Sequence, residues 1–166
     1  MSPATVFQIH LVLGYVPWLL FLGAYLWPRL KAMEPVAAQR AIAMLHSFRF
    51  FGLVFIVPGV VGADLPAGFA SFAAYGDFAT GVLAMLALLT ARIPALFWLF
   101  VVGFNVVGTV DILVDYYHGN ALGLAPLAGE LGATYAIPII YVPLLLITHV
   151  VAFYLLARPR LEAARG

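Results

Sequence analysis

The stretch "PALFWLFVVGFNVVGTVDILVDYY" (residues 94–117) carries only two charged side chains, Asp111 and Asp115. As an α-helix at about 1.5 Å per residue it would reach about 36 Å, and the hydrocarbon core of a bilayer is about 30 Å thick. It reads as a membrane-crossing helix, and that reading decides the fold. Similar apolar runs fall at about 7–27, 41–62, 70–91 and 134–157. Between them lie turn and charge signals: "PRLKAMEPVAAQR", "GADLPAGFAS", "ARIPA" and "HGNALGLAPLAGELGATY".

The whole chain agrees with this reading. Its 166 residues are 65% hydrophobic and 9% charged, with mean hydropathy +1.08. A soluble domain is about half apolar and a quarter charged. Eight basic and seven acidic residues could not cover a water-soluble surface. The expectation is an all-α polytopic membrane protein: a five-transmembrane-helix bundle forming a single transmembrane domain over residues 1–166. The first run lacks a basic stretch before it, so it is expected to be a retained helix and not a cleavable signal peptide.

Charge predicts the direction of the spans. Arg29, Lys31 and Arg40 fall in the first break, Arg92 in the third, and Arg158, Arg160 and Arg165 in the tail. With five spans these segments share one side, and the positive-inside rule makes it cytoplasmic, with the N-terminus outside. A bacterial inner membrane is the expected location. Trp27 and Trp98 sit near the inner boundary, and Tyr116, Tyr117 and Tyr135 near the outer one, as an aromatic belt requires.

The polar groups of the fourth run form a stripe. Gly108, Asp111, Asp115 and His118 occupy an arc of about 80° at helical spacing, with Asn105 about 60° away. Carboxylates at bilayer depth face a bundle interior or a water-filled cavity, because lipid does not solvate them. His10 on the first helix and Asp77 on the third reach the same outer level. The expectation is one outward-facing pocket of His10, Asp77, Asp111, Asp115 and His118, suited to a divalent metal, to proton transfer or to a cationic ligand. Within it Asp111, the deeper acid, is expected to matter more than Asp115, which together with His118 also fits a solvated helix end.

A second set lies in the inner half. His46 and Arg49 are three residues apart on the second helix, and His149 on the fifth falls at a matching depth. An intramembrane arginine needs a named partner, and Asp77, Asp111, backbone carbonyls freed by Pro143 or an anionic ligand are the candidates. Two histidines on different helices could also hold a b-type haem, His46 with His149 on the inner side or His10 with His118 on the outer. His149 in "LLLITHVVAF" reads more readily as a core histidine donating to a neighbouring carbonyl than as a ligand.

The segments "IHLVLGYVPWLLFLGAYLWPRL" and "RAIAMLHSFRFFGLVFIVPG" resemble the opening helices of small bacterial membrane families, the oxygen-independent protoporphyrinogen oxidases and the copper-resistance-type membrane proteins. The shared elements are His10, Trp18, "PRL" (28–30), Arg49 and Pro58. In the oxidases the first-helix histidine is associated with b-type haem, so the resemblance implies that role for His10. After Pro58 the pattern departs, since the third helix carries no lysine. The second half, with "NVVGTVD" (105–111) and "IPIIYVPLLLITHVVAFYLL" (137–156), resembles small bacterial membrane proteins of unassigned activity.

Several functions are excluded. There is no cysteine, hence no disulfide framework, thiolate metal site or thiol redox chemistry. A net charge of +1 gives nucleic acid nothing to bind. Lys31, the only lysine, lies in a loop, which rules out a retinal Schiff base. No Walker, dinucleotide or G-x-S-x-G motif is present, and only Ser2, Ser47 and Ser71 could serve a serine protease. Three readings remain: a polar pocket that binds or conducts a small ligand, metal ion or protons; a haem-binding cytochrome; and an accessory subunit of a membrane complex. The expected partners are the lipid bilayer, a small ligand or ion, and a second copy or a membrane complex.

Overall fold

The computed structural model describes residues 1–158; Arg160 and Arg165, two of the tail cations, lie outside the described residues. Among the described residues the chain is all helical, with no strand. Helix α1 spans Pro3–Ala32, α3 Ala67–Leu89, α4 Pro94–Ala121 and α5 Ile137–Ala157, and each of these four is long and apolar enough to cross a membrane. Between α1 and α3 runs α2, Pro35–Ser47, continued by a 3-10 helix over Phe48–Ile56. A second 3-10 stretch, Ala125–Tyr135, precedes α5.

Local chemistry sets the boundaries. Glu34 and Ile93 are extended (ψ 141° and 94°), as residues before a proline must be, and Pro35 and Pro94 then open α2 and α4 without needing an N–H donor. Helix α4 closes with Gly123 at φ +66°, where Leu124 N–H donates to Gly119 O at 2.8 Å and Gly123 N–H to Asn120 O at 3.2 Å. That is a Schellman cap, and glycine supplies its left-handed residue.

The second segment departs from expectation. The apolar run suggests a helix over 41–62, but helical structure starts at Pro35 and stops at Ile56. Val57 precedes Pro58 and is extended (ψ 121°), so the helix cannot pass it. From Phe48 onward the chain has three residues per turn instead of 3.6. Arg49, Gly52 and Phe55, each three apart, therefore align on one face, and they are the buried residues of this segment.

Helix α3 is the centre of the bundle, with α4, α2 and the first 3-10 helix packed on it. Its buried alanines and Gly81 let backbones approach closely. Helix α1 is peripheral and leans on α5 and the second 3-10 stretch. There Pro143 has no N–H to give Ile139 O, and Gly14 packs on that carbonyl. Two apolar clusters occupy the ends of the bundle. One contains Phe7, Phe55, Phe69, Leu124 and Ile137; the other contains Leu30, Ile42, Phe97, Phe104 and Val151. Most of the buried polar residues, among them His46, Arg49, Asp77, Thr80, Asn105, Asp111 and His149, lie between them.

Candidate functional site

Arg49 sits at the middle of that polar layer with 1% of its surface exposed. Its Nε donates to Asp77 Oδ1 of α3 at 2.5 Å, and Nη2 donates to Asp111 Oδ2 of α4. Nη1 donates to Gly108 O and to His149 Nε2, each at 3.2 Å. One guanidinium thus joins the first 3-10 helix to α3, α4 and α5. Two of its three nitrogens meet carboxylates, the charge-assisted arrangement that a buried arginine requires.

The network continues inward and fixes a tautomer. Because His149 Nε2 accepts from Arg49, its Nδ1–H donates to Asn105 Oδ1 at 2.9 Å, and Asn105 Nδ2 donates to Val101 O at 2.8 Å. His46 packs on His149 with ring centroids 4.0 Å apart. Thr148 Oγ1 gives its hydrogen to the Leu144 or Leu145 carbonyl at 2.9 and 3.0 Å, so it accepts from His46 Nε2–H at 3.0 Å.

Glycines make the space for this layer. A Cβ at Gly52 would collide with Asp77, and one at Gly76 with the carboxylate of Asp111. One at Gly108 would lie 2.5 Å from Arg49 Nη1 and 2.6 Å from His149 Nε2, and one at Gly81 would lie 2.7 Å from the backbone nitrogen of Phe50. The polar layer therefore rests on four positions where only hydrogen fits.

Beside the layer opens a narrow cleft of about 100 Å³, part of a concavity of about 720 Å³ once the open mouth is included. Its walls come from one end of the bundle: Phe7 of α1, Phe55 of the first 3-10 helix, Phe69 of α3, Ile112 and Tyr116 of α4, and Ile137 of α5. Asp77 and Asp115 line it, with Gln8 and Asn120. Asp115 Oδ1 is buried and finds no hydrogen-bond partner among the described residues. Asp111 Oδ1 is also without one. Asp115 lies one turn beyond Asp111 on α4, so three acidic side chains neighbour one guanidinium.

The structure divides the residues expected from sequence. Asp77, Asp111, Arg49, His46 and His149 come together, with Asn105, in the polar layer. His10 does not join them: it is exposed, and its Nδ1 is 3.0 Å from Tyr135 OH. His118 packs on Phe72 of α3, ring centroids 5.0 Å apart, and neither histidine lines the cleft. The five residues expected to share one pocket are thus not brought together. Among the described residues no three His, Asp or Glu side chains are grouped to hold a metal ion. In this structure His46 and His149 are in ring-to-ring contact, and both His149 nitrogens are bonded within the chain, to Arg49 and Asn105. His10, the position implied for haem by the resemblance, is tied to Tyr135 at the bundle surface.

Sequence reading missed Gln8 and Tyr116 as cleft residues, and it missed the glycines. Only Gly108 had a signal, through its place on the stripe; the role of Gly52 needs the three-residue period that links it to Arg49. Residues 6–157 match the family described as Domain of unknown function (DUF8737). The chain belongs to that family. No curated protein and no solved structure matches it.

Proposed function

We propose that this member of the DUF8737 family is a five-span protein of the cytoplasmic membrane, N-terminus outside, whose outward cleft binds a small organic cation with an apolar body. The fifth crossing is the composite of α2 and its 3-10 continuation. Thirteen residues at about 1.5 Å and nine at about 2.0 Å give roughly 37 Å, enough for the bilayer core. Arg29, Lys31, Arg40, Arg92 and Arg158 then share the cytoplasmic side, and the cleft opens at the opposite end.

The observation that carries the ligand class is the buried, unpartnered Oδ1 of Asp115 beside a mostly apolar cleft. Phe7, Phe55, Phe69 and Tyr116 add ring faces and edges that suit a cation with hydrophobic substituents. Arg49 and its partners act as the lock that holds three helices and the 3-10 segment around this cleft, which accounts for the accessory-subunit reading of the same residues without a separate partner.

The test is calorimetric titration of the detergent-purified chain with tetraphenylphosphonium, using tetraphenylborate as an ion of the same shape and opposite charge. Saturable phosphonium binding with Kd below about 1 mM, absent for the borate and lost in Asp115→Asn, is expected. Equal binding of the two ions, or binding unchanged by Asp115→Asn, would overturn the reading.

A further inference from the structure

At the other end of the bundle, far along α3 and α4 from the cleft, two arginines border a separate concavity. Arg40 of α2 and Arg92 of the α3–α4 turn line a hollow of about 360 Å³ with Leu88, Leu89 and Ala91. A second hollow of about 310 Å³ is lined by Ala37, Arg40, Ala41, Met44 and Leu88. The two share Arg40 and Leu88, so they form one groove, basic at one end and apolar along α2.

Among the described residues, the other cations of this end are engaged within the chain. Arg29 Nη1 donates to Tyr25 O at 3.1 Å, Arg158 Nη1 donates to Lys31 O at 3.2 Å, and Lys31 Nζ lies 5.4 Å from the Trp27 ring centre. Arg40 and Arg92 have no hydrogen bond or ion pair among the described residues, and both are exposed. The C-terminus of α3 and the N-terminus of α4 meet at this turn, so their opposite dipole ends offset one another. The guanidiniums set the sign of the site.

We infer that this groove binds an anionic phospholipid, with the phosphate between Arg40 and Arg92 and an acyl chain along Ala37, Ala41 and Met44. Paired guanidiniums suit phosphate oxygens, and basic pockets between helices at the cytoplasmic face take acidic headgroups. The apolar continuation distinguishes a lipid from a free anion, which would use the basic end alone. The inference is independent of the ligand proposed for the opposite cleft.

Native mass spectrometry of the full chain in detergent, with phosphatidylglycerol and phosphatidylcholine offered at equal concentration, tests it. Retention of phosphatidylglycerol about 30-fold above phosphatidylcholine is expected, falling to parity in Arg40→Gln/Arg92→Gln. It should be unchanged in Arg29→Gln/Lys31→Gln, which removes the same charge from the same face. Met44→Gln, at the apolar end, should weaken retention with both arginines intact, and it serves as the readout if the double arginine variant does not fold. Equal loss in both double-charge variants, or full retention in Arg40→Gln/Arg92→Gln or in Met44→Gln, would overturn the site. Displacement of the lipid by millimolar inorganic phosphate would reduce it to an anion site and overturn the lipid assignment.

Discussion

Gly108 and Arg49 are in backbone-to-side-chain contact: the Gly108 carbonyl accepts from Arg49 Nη1 at 3.2 Å, and a Cβ on Gly108 would lie 2.5 Å from that nitrogen. The same methyl would lie 2.7 Å from Thr80 Cγ2, so no direction is open to it. Gly108→Ala is expected to destabilise by about 1–3 kcal/mol, the usual cost of overpacking, read as a lowered Tm in detergent. Gly129→Ala, where a Cβ meets nothing within 4 Å, is the matched control and should stay within about 0.5 kcal/mol.

Arg49 is the shared partner of Asp77 and Asp111, and removing it strands two carboxylates in the bundle interior. Arg49→Leu is expected to destabilise by about 3–5 kcal/mol, the range for breaking a buried ion pair from one side. The triple variant Arg49→Leu/Asp77→Asn/Asp111→Asn should recover part of that loss, since neutral amides leave no orphan charge. Thermal unfolding of the two variants checks it: a triple variant no more stable than Arg49→Leu would show that packing, not charge, dominates the layer.

Much of this arrangement was legible in the sequence, because lipid as a solvent makes every buried charge conspicuous. The apolar runs located α1, α3, α4 and α5 to within a few residues, and the lone intramembrane arginine called for a carboxylate. What hydropathy could not show was rotation about each helix axis. His10 and His118 share depth with the acids, yet they point at Tyr135 and Phe72. Nor did it show the change of helical period at Phe48. A span drawn through Pro58 on hydropathy alone hides the face that puts Arg49, Gly52 and Phe55 in line.

The composite segment from Pro35 to Ile56 decides the number of crossings, and the absence of cysteine makes its ends easy to mark. Lys31→Cys and Ala63→Cys flank it at exposed positions. In intact cells a membrane-impermeant maleimide should label Ala63→Cys and leave Lys31→Cys unlabelled until the membrane is opened. Labelling of both, or of neither, would mean that residues 35–56 do not cross and would remove the five-span topology.

Asp111 and Asp115 lie one turn apart on α4 but have different surroundings, and for ligand binding the expected order is the reverse of the one depth alone suggests. Asp111 is 3% exposed, bonds Arg49 and does not line the cleft. Asp115 lines the cleft and keeps an oxygen with no partner. Asp111→Asn should therefore act on stability, lowering it by about 1–3 kcal/mol as a charge-assisted bond is weakened. Asp115→Asn should leave Tm unchanged or slightly raised, because it removes an unbalanced charge, and should abolish tetraphenylphosphonium binding. The two variants separate only if the lock and the ligand site are distinct. A Tm loss of equal size in both, with phosphonium binding kept in both, would mean that Asp115 belongs to the lock and that the cleft has no charged anchor.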